Sequence, residues 1–278
     1  MLRKRLIAAV SVVIVASSLI IGCGSSDTTI SKKVNDTTIA ISGSTSVGPL
    51  VELEEEEFEA NNQGVTIEIN QTGSSSGIKD TISGTTEIGM SSRELTNEES
   101  KNLKEVTIAV DGIGVVVNKN NPVKNLTLEQ IKDIFTGKIT NWSEVGGEDK
   151  EIVVVSREEG SGTRTAFQEI LNYSTEDTVK NAIVNNSTGA TKVMVEENDN
   201  AIGYMSIGYI DDSIASVNVD GVEATADNVK SGEYKIQRPF LLVYKEGALS
   251  EEGQEFIDFI LSDKGQAIVA EENLVTVD

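Results

Sequence analysis

Three short segments of this sequence combine glycine with small hydroxyl residues: Gly43-Ser44-Thr45-Ser46-Val47-Gly48-Pro49, Gly73-Ser74-Ser75-Ser76-Gly77-Ile78 and Gly160-Ser161-Gly162-Thr163-Arg164. Each follows a β-rich run and leads into a helical pattern. The first N–H groups of a helix lack intrahelical acceptors, and the helix dipole places partial positive charge there. Such a turn is therefore suited to holding an anion. Serine and threonine hydroxyls add donors that rotate to fit a tetrahedral oxyanion. The same residues also serve as plain N-caps, so one turn alone says little. Three in one chain, one of them beside Arg157, point to a shared anion site. Arg157 follows the apolar run 152–155, at the carboxyl end of a predicted strand, where ligands of open α/β sheets sit. A guanidinium there can donate two parallel hydrogen bonds to an oxyanion. Glu159 is placed to hold Arg157 by a salt link.

The elements that must position these groups are legible as alternating β-rich and helical patterns, the signature of an α/β protein with mostly parallel sheets. Residues 38–41, 65–69, 113–117, 152–155 and 239–244 read as strands. Leu126, Leu128, Ile131, Ile134 and Phe135 fall at amphipathic-helix spacing, and 253–270 reads as one C-terminal helix. The glutamate run 54–57 reads as the solvated face of the first helix. Trp142 reads as a turn residue anchoring a helix end, with a ligand platform as the alternative. No internal repeat is visible.

Composition narrows the chemistry. The chain has 278 residues, no histidine and one cysteine, with 45 acidic against 23 basic residues and a net charge of −22. Without histidine, Ser-His-Asp and Cys-His catalysis and the commonest metal ligand are excluded. The acidic balance argues against nucleic acid as a partner. It does not argue against an anion ligand, because surface charge is screened over about 8 Å. Arg3, Lys4 and Arg5 head an apolar run, residues 6–21, of signal-peptide length, ending in Gly22-Cys23. That ending resembles a bacterial lipobox, so residues 1–22 read as a lipoprotein signal peptide and Cys23 as the acylated new N-terminus. Residues 23–36 read as a flexible tether. The remaining length suits two modest domains.

Further motifs join these turns in order: Ser42-Gly43-Ser44-Thr45-Ser46, Ile88-Gly89-Met90-Ser91-Ser92-Arg93, the stretch 111–118, Phe135-Thr136-Gly137-Lys138-Ile139-Thr140-Asn141-Trp142 and Ala201-Ile202-Gly203-Tyr204. Together they resemble the phosphate-binding substrate receptors of bacterial ABC importers, over residues 37 to 275. The resemblance implies a two-lobed type II periplasmic-binding-protein fold, each lobe a mainly parallel sheet flanked by helices, with phosphate in the cleft between them. Lobe I would comprise 37–111 plus 239–278 and lobe II 112–238, with crossings near Asp111-Gly112 and Arg238-Pro239. Thr45, Ser46 and Ser74 would donate from one lobe, and Arg157, Ser161, Gly162 and Thr163 from the other. Ser44, Ser75, Arg93 and Glu159 are secondary candidates.

The resemblance further implies a monomeric receptor without cofactor, metal or catalytic residue, held by its lipid at the extracytoplasmic face of the membrane. Its partners would be the permease and ATPase subunits of an importer. Ser92 departs from the best-known form of the family, in which an aspartate at that position accepts the hydrogen bond from the phosphate's own proton and repels proton-free sulfate. A hydroxyl can accept that bond or equally donate to sulfate, which weakens the expected selectivity. Adjacent Arg93 either adds positive charge or points to solvent. Two alternatives remain: a receptor for sulfate or molybdate, and a surface lipoprotein for adhesion or signalling in which the turns are only caps.

Overall fold

The computed structural model describes residues 37–277; the segments expected to be a signal peptide and a tether, with Cys23, lie outside them. The chain opens with β1 (Thr37–Gly43), α1 (Gly48–Asn61), β2 (Val65–Asn70), α2 (Ser74–Ser83) and β3 (Ile88–Ser91), then enters the long strand β4 (Lys104–Asn118). It continues through β5 (Asn125–Leu126), α3 (Leu128–Phe135), β6 (Val153–Arg157), α4 (Gly162–Ile170), β7 (Ile183–Asn185) and α5 (Thr188–Glu197). β8 (Ala201–Ser206), β9 (Ile214–Ser216), β10 (Asn218–Val219) and α6 (Ala226–Lys230) follow. The chain returns through β11 (Gln237–Tyr244) and ends in α7 (Glu251–Ile260) and α8 (Asp263–Glu271).

One nine-stranded sheet runs β2-β1-β3-β11-β4-β8-β6-β7, with β9 also on β4. β1 is parallel to β2 and β3, and β6 is parallel to β7 and β8. The central strands β11 and β4 run antiparallel to each other and to their outer neighbours β3 and β8. The sheet thus has two parallel halves joined by an antiparallel seam. β4 spans both: its first part pairs with β11, and residues 113–118 pair with β8 and β9. At the changeover Arg238 lies opposite Asp111, and Gln237 opposite Gly112.

The seam is buried on both faces, as a near-continuous apolar run requires. Ile108, Ala109, Ile113, Val115, Val116 and Val117 of β4 are all solvent-inaccessible. Helices cover the rest through apolar stripes. Phe58 of α1 meets Phe256 of α7 edge-on, with ring centroids 5.2 Å apart, and Phe167 of α4 stacks on Tyr204 of β8 at 4.1 Å.

Three expectations change. The C-terminal segment is two helices, because Ser262 interrupts 253–270 and accepts from the Gly265 amide to cap α8 afresh. Leu126 belongs to a strand, since Thr127 caps α3 through a reciprocal box with Gln130. The run 54–57 is not all solvated: Glu54 falls on the inward stripe of α1 with Leu50, Val51 and Phe58, and is fully buried. Trp142 starts a short 3-10 turn, is buried, and donates from Nε1 to the Asn200 carbonyl at 3.0 Å.

Candidate functional site

The three glycine-serine turns all lie at carboxyl ends of parallel strands: β1 into α1, β2 into α2, β6 into α4. Their geometry depends on glycine at two close approaches. Gly43 has φ +142°, and a side chain there would collide with the Met90 backbone of β3. At Gly162 a side chain would run into the Ser74 and Ser92 hydroxyls, so the first turn of α4 directly faces the first half. A backbone bond from Ser75 N to the Gly160 carbonyl, 3.1 Å, ties the second turn to the third.

Between the turns lies a buried network of hydroxyls. Ser44 Oγ accepts from the amides of Ser46 and Val47 at 3.1 and 3.3 Å and donates to Ser92 Oγ at 2.9 Å. Ser74 Oγ accepts from the Ser92 amide at 3.1 Å and lies 3.3 Å from Ser92 Oγ. Between the two halves of the sheet, Ser46 Oγ is 2.9 Å from Thr163 Oγ1 and 2.8 Å from Thr188 Oγ1. Arg157, 2% exposed, donates from Nη1 to Thr188 Oγ1 and from Nη2 to Thr45 Oγ1, each at 3.2 Å. Thr45 Oγ1 also accepts from the Thr188 amide at 3.2 Å. With both lone pairs engaged, its proton is left to donate, and Thr188 Oγ1 lies 3.2 Å away. The cluster thus gathers donors from both halves of the sheet in a water-poor setting, where hydrogen bonds to an anion are strengthened. The helix starts add to this: the Gly162 and Thr163 amides occupy the first turn of α4, where no intrahelical acceptor exists.

A second guanidinium completes the arrangement. Arg238 donates from Nε and Nη2 to Asp111 Oδ2 at 3.0 and 2.9 Å, and from Nη1 to the Ser92 carbonyl at 3.0 Å and Thr163 Oγ1 at 2.6 Å. Asp111 Oδ1 accepts from Ser206 Oγ at 2.7 Å and the Ile207 amide at 3.2 Å. Burial pushes the Asp111 carboxyl up and the Arg238 guanidinium down, while their mutual attraction and hydrogen bonds oppose both shifts.

A family model described as a PBP superfamily domain matches residues 28–264. The phosphate-binding protein PstS of Bacillus subtilis (strain 168) is 33% identical over 244 residues, covering 86% of this chain and 80% of that protein. The chain belongs to the PstS family of the PBP superfamily. Two solved structures sharing the PstS-family fold sit alongside. One is a candidate phosphate ABC transporter substrate-binding protein with bound phosphate from Clostridium perfringens. It is 58% identical with a TM-score of 0.86, covering 87% of this chain and all of that one. The other is an ABC-type phosphate transport receptor from Vibrio cholerae, 36% identical with a TM-score of 0.73, covering 86% of this chain and all of that one.

For this PstS-family chain, the structure brings Ser44, Thr45, Ser46, Ser74, Ser92, Arg157, Gly162 and Thr163 together. Ser161 is buried beside them, but its hydroxyl caps α4 by accepting from the Arg164 amide at 3.3 Å. Ser75 is half-buried at the edge. Two secondary candidates are corrected. Glu159 is exposed, and the salt link to Arg157 comes from Glu158, whose two oxygens accept from Nε and Nη2 at 3.0 Å each. Arg93 neither faces solvent nor adds its charge to the hydroxyl cluster: it is 6% exposed and grips Glu99 at 2.8 and 2.9 Å. Sequence reasoning missed Thr188, Arg238 and Asp111. Thr188 opens α5 after β7 in Asn186-Ser187-Thr188-Gly189, a fourth turn of the same design, so its signal was present.

Proposed function

We propose that this chain captures inorganic phosphate between two lobes, 37–111 with 239–278 and 112–238, and hands it unchanged to the permease of an ABC importer. A lipid on Cys23 holds it at the extracytoplasmic face of the membrane. The observation that carries the reading is the meeting of Arg157, from one half of the sheet, with Thr45, from the other, at 3.2 Å inside a ring of hydroxyls and helix starts. A tetrahedral oxyanion suits this ring, because it can take donors from both halves at once and so favour the closed state. Phosphate as the oxyanion is supported by the likeness to phosphate-binding relatives. The role is binding rather than catalysis: the chain has no histidine, and the carboxylates nearest the ring, Glu158 and Asp111, are engaged by guanidinium groups.

Calorimetric titration of phosphate into the purified full-length protein tests the reading. Tight binding is expected, and Arg157→Ala should weaken it at least about 100-fold, since two charge-assisted hydrogen bonds are lost. Unchanged affinity in that variant would sink the assignment. Ser92 favours keeping a second oxyanion in view. Its hydroxyl receives a bond from Ser44 and carries no charge to repel sulfate. Sulfate should therefore compete measurably, and Ser92→Asp should suppress it while sparing phosphate. Sulfate excluded equally by the unsubstituted chain and by Ser92→Ala would show that another group discriminates.

A further inference from the structure

Arg238 is more elaborately held than a strand residue needs to be. It is 3% exposed, lies over the Phe240 ring at 5.2 Å, and meets Asp111 across the paired strands where the two halves of the sheet join. Stability alone is a poor reason for such a pair, because a fully buried ion pair is commonly no better than an apolar replacement of the same volume. The nitrogen that Asp111 leaves over is the informative one. Nη1 reaches the Ser92 carbonyl, at the end of β3 in the first half, and the Thr163 hydroxyl, in the first turn of α4 in the second half.

The geometry points to Arg238 as a positioning residue for oxyanion binding that acts through Thr163, an inference that rests on the oxyanion reading of the cleft. A guanidinium can only donate. Thr163 Oγ1 must therefore accept from Nη1, which occupies one of its two lone pairs and steers its proton away from Arg238, to the side where Ser46 Oγ lies at 2.9 Å. Arg238 thus biases an ambivalent hydroxyl toward donating into the ring. Asp111 balances its charge, so the effect is one of orientation rather than added positive potential. Because the same nitrogen holds both Ser92 and Thr163, the bond to Thr163 forms only when the first turn of α4 is drawn against the first half. Arg238 therefore favours the closed arrangement in which the donors converge.

The test is a cycle of calorimetric phosphate titrations on the full-length protein. Its members are the unsubstituted chain, Thr163→Val, the paired replacement Asp111→Leu with Arg238→Met, and all three changes together. The paired replacement avoids stranding a buried carboxylate. It should weaken phosphate about 10- to 100-fold, the range for hydrogen bonds that involve charged groups, while the ligand-free protein keeps its thermal midpoint. Thr163→Val should weaken binding comparably, the triple variant should lose no more than the worse of the two, and Thr163→Ser should restore binding. Unchanged affinity in the paired variant, or losses that multiply in the triple variant, overturns the proposal. Should the paired variant not fold, Arg238→Lys decides. It keeps a cation on Asp111 but cannot span both partners, so phosphate affinity should fall, and affinity equal to the unsubstituted chain overturns the inference. If the unsubstituted protein binds no phosphate, the phosphate reading itself fails and this one with it.

Discussion

Asp111 and Glu54 are both completely buried carboxylates, and their surroundings are opposite. Asp111 sits on the seam of the sheet and accepts four hydrogen bonds, from Arg238 Nε, Arg238 Nη2, Ser206 Oγ and the Ile207 amide. Glu54 sits on the inward stripe of α1, and neither of its oxygens has a partner. Burial alone raises it to about 8. The difference teaches that burial does not by itself say what a carboxylate does. With donors supplied, it anchors a cation where the ligand turns meet; without them, it is a neutral acid near neutral pH and a cost to the fold above it.

The largest effect should come from breaking the satisfied member. Asp111→Ala leaves Arg238 charged, buried and without its counter-ion, and such losses amount to about 3–5 kcal/mol. Denaturant unfolding at neutral pH measures this directly. A loss below about 1 kcal/mol would mean that Arg238 finds another partner, and the contrast with Glu54 would weaken. The paired replacement of Asp111 and Arg238 should recover most of the stability, because no uncompensated charge remains.

Glu54 sharpens the contrast from the other side. Its folded value lies above the ordinary carboxylate value of 4.5, so the folded state holds the proton more tightly than the unfolded chain. The contribution is fully present below about pH 4.5 and is lost as pH rises toward 8. Between pH 5 and pH 8 the expected fall is about 3 kcal/mol, taking 1.36 kcal/mol per unit. α7, α8 and β2 pack against α1, and the nearby cation Lys264 of α8 bonds Glu57 rather than Glu54. Glu54→Leu should therefore raise stability at pH 8 and flatten the pH profile. A variant with the same slope as the parent would show that the carboxylate reaches water or a cation when ionised.

These two residues also mark how far the sequence was legible. The ligand turns could be read because their physics is local: glycine, serine and threonine between a strand and a helix announce a helix start wherever they occur. The fourth turn, at Thr188, carried the same letters but followed a three-residue strand with exposed Ile183 and Val184, whose pattern is weak. Glu54 was hidden by its own neighbours. Four successive glutamates mask the helical period, although counting from Leu50 places residue 54 on the inner face. Arg238 and Asp111 are 127 residues apart, and only the pairing of β4 with β11 brings them together. The choice between Glu158 and Glu159 as partner to Arg157 depended on where the strand ends and the turn begins, which spacing alone does not decide.

Arg93 and Glu99 give an intermediate case and the smallest expected effect. Both oxygens of Glu99 accept from Arg93, the Thr96 amide adds a third bond at 2.8 Å, and the carboxylate is only partly buried. The hydrogen bonds from Arg93 hold Glu99 down at about 2, with burial working against them. The sign is the reverse of that for Glu54: the stabilisation is present above the unfolded value of about 4.5 and disappears as pH falls toward 2. Glu99→Gln should cost about 1–2 kcal/mol at pH 7 and progressively less as pH falls from about 4.5 toward 2, where the folded state takes up the proton and protonation replaces the substitution. Arg93 touches the ligand turns only through a long contact to Ser75 Oγ at 3.4 Å, so phosphate affinity should shift by less than about threefold. A larger loss of affinity in Glu99→Gln, with stability unchanged, would move Arg93 from the scaffold into the binding site.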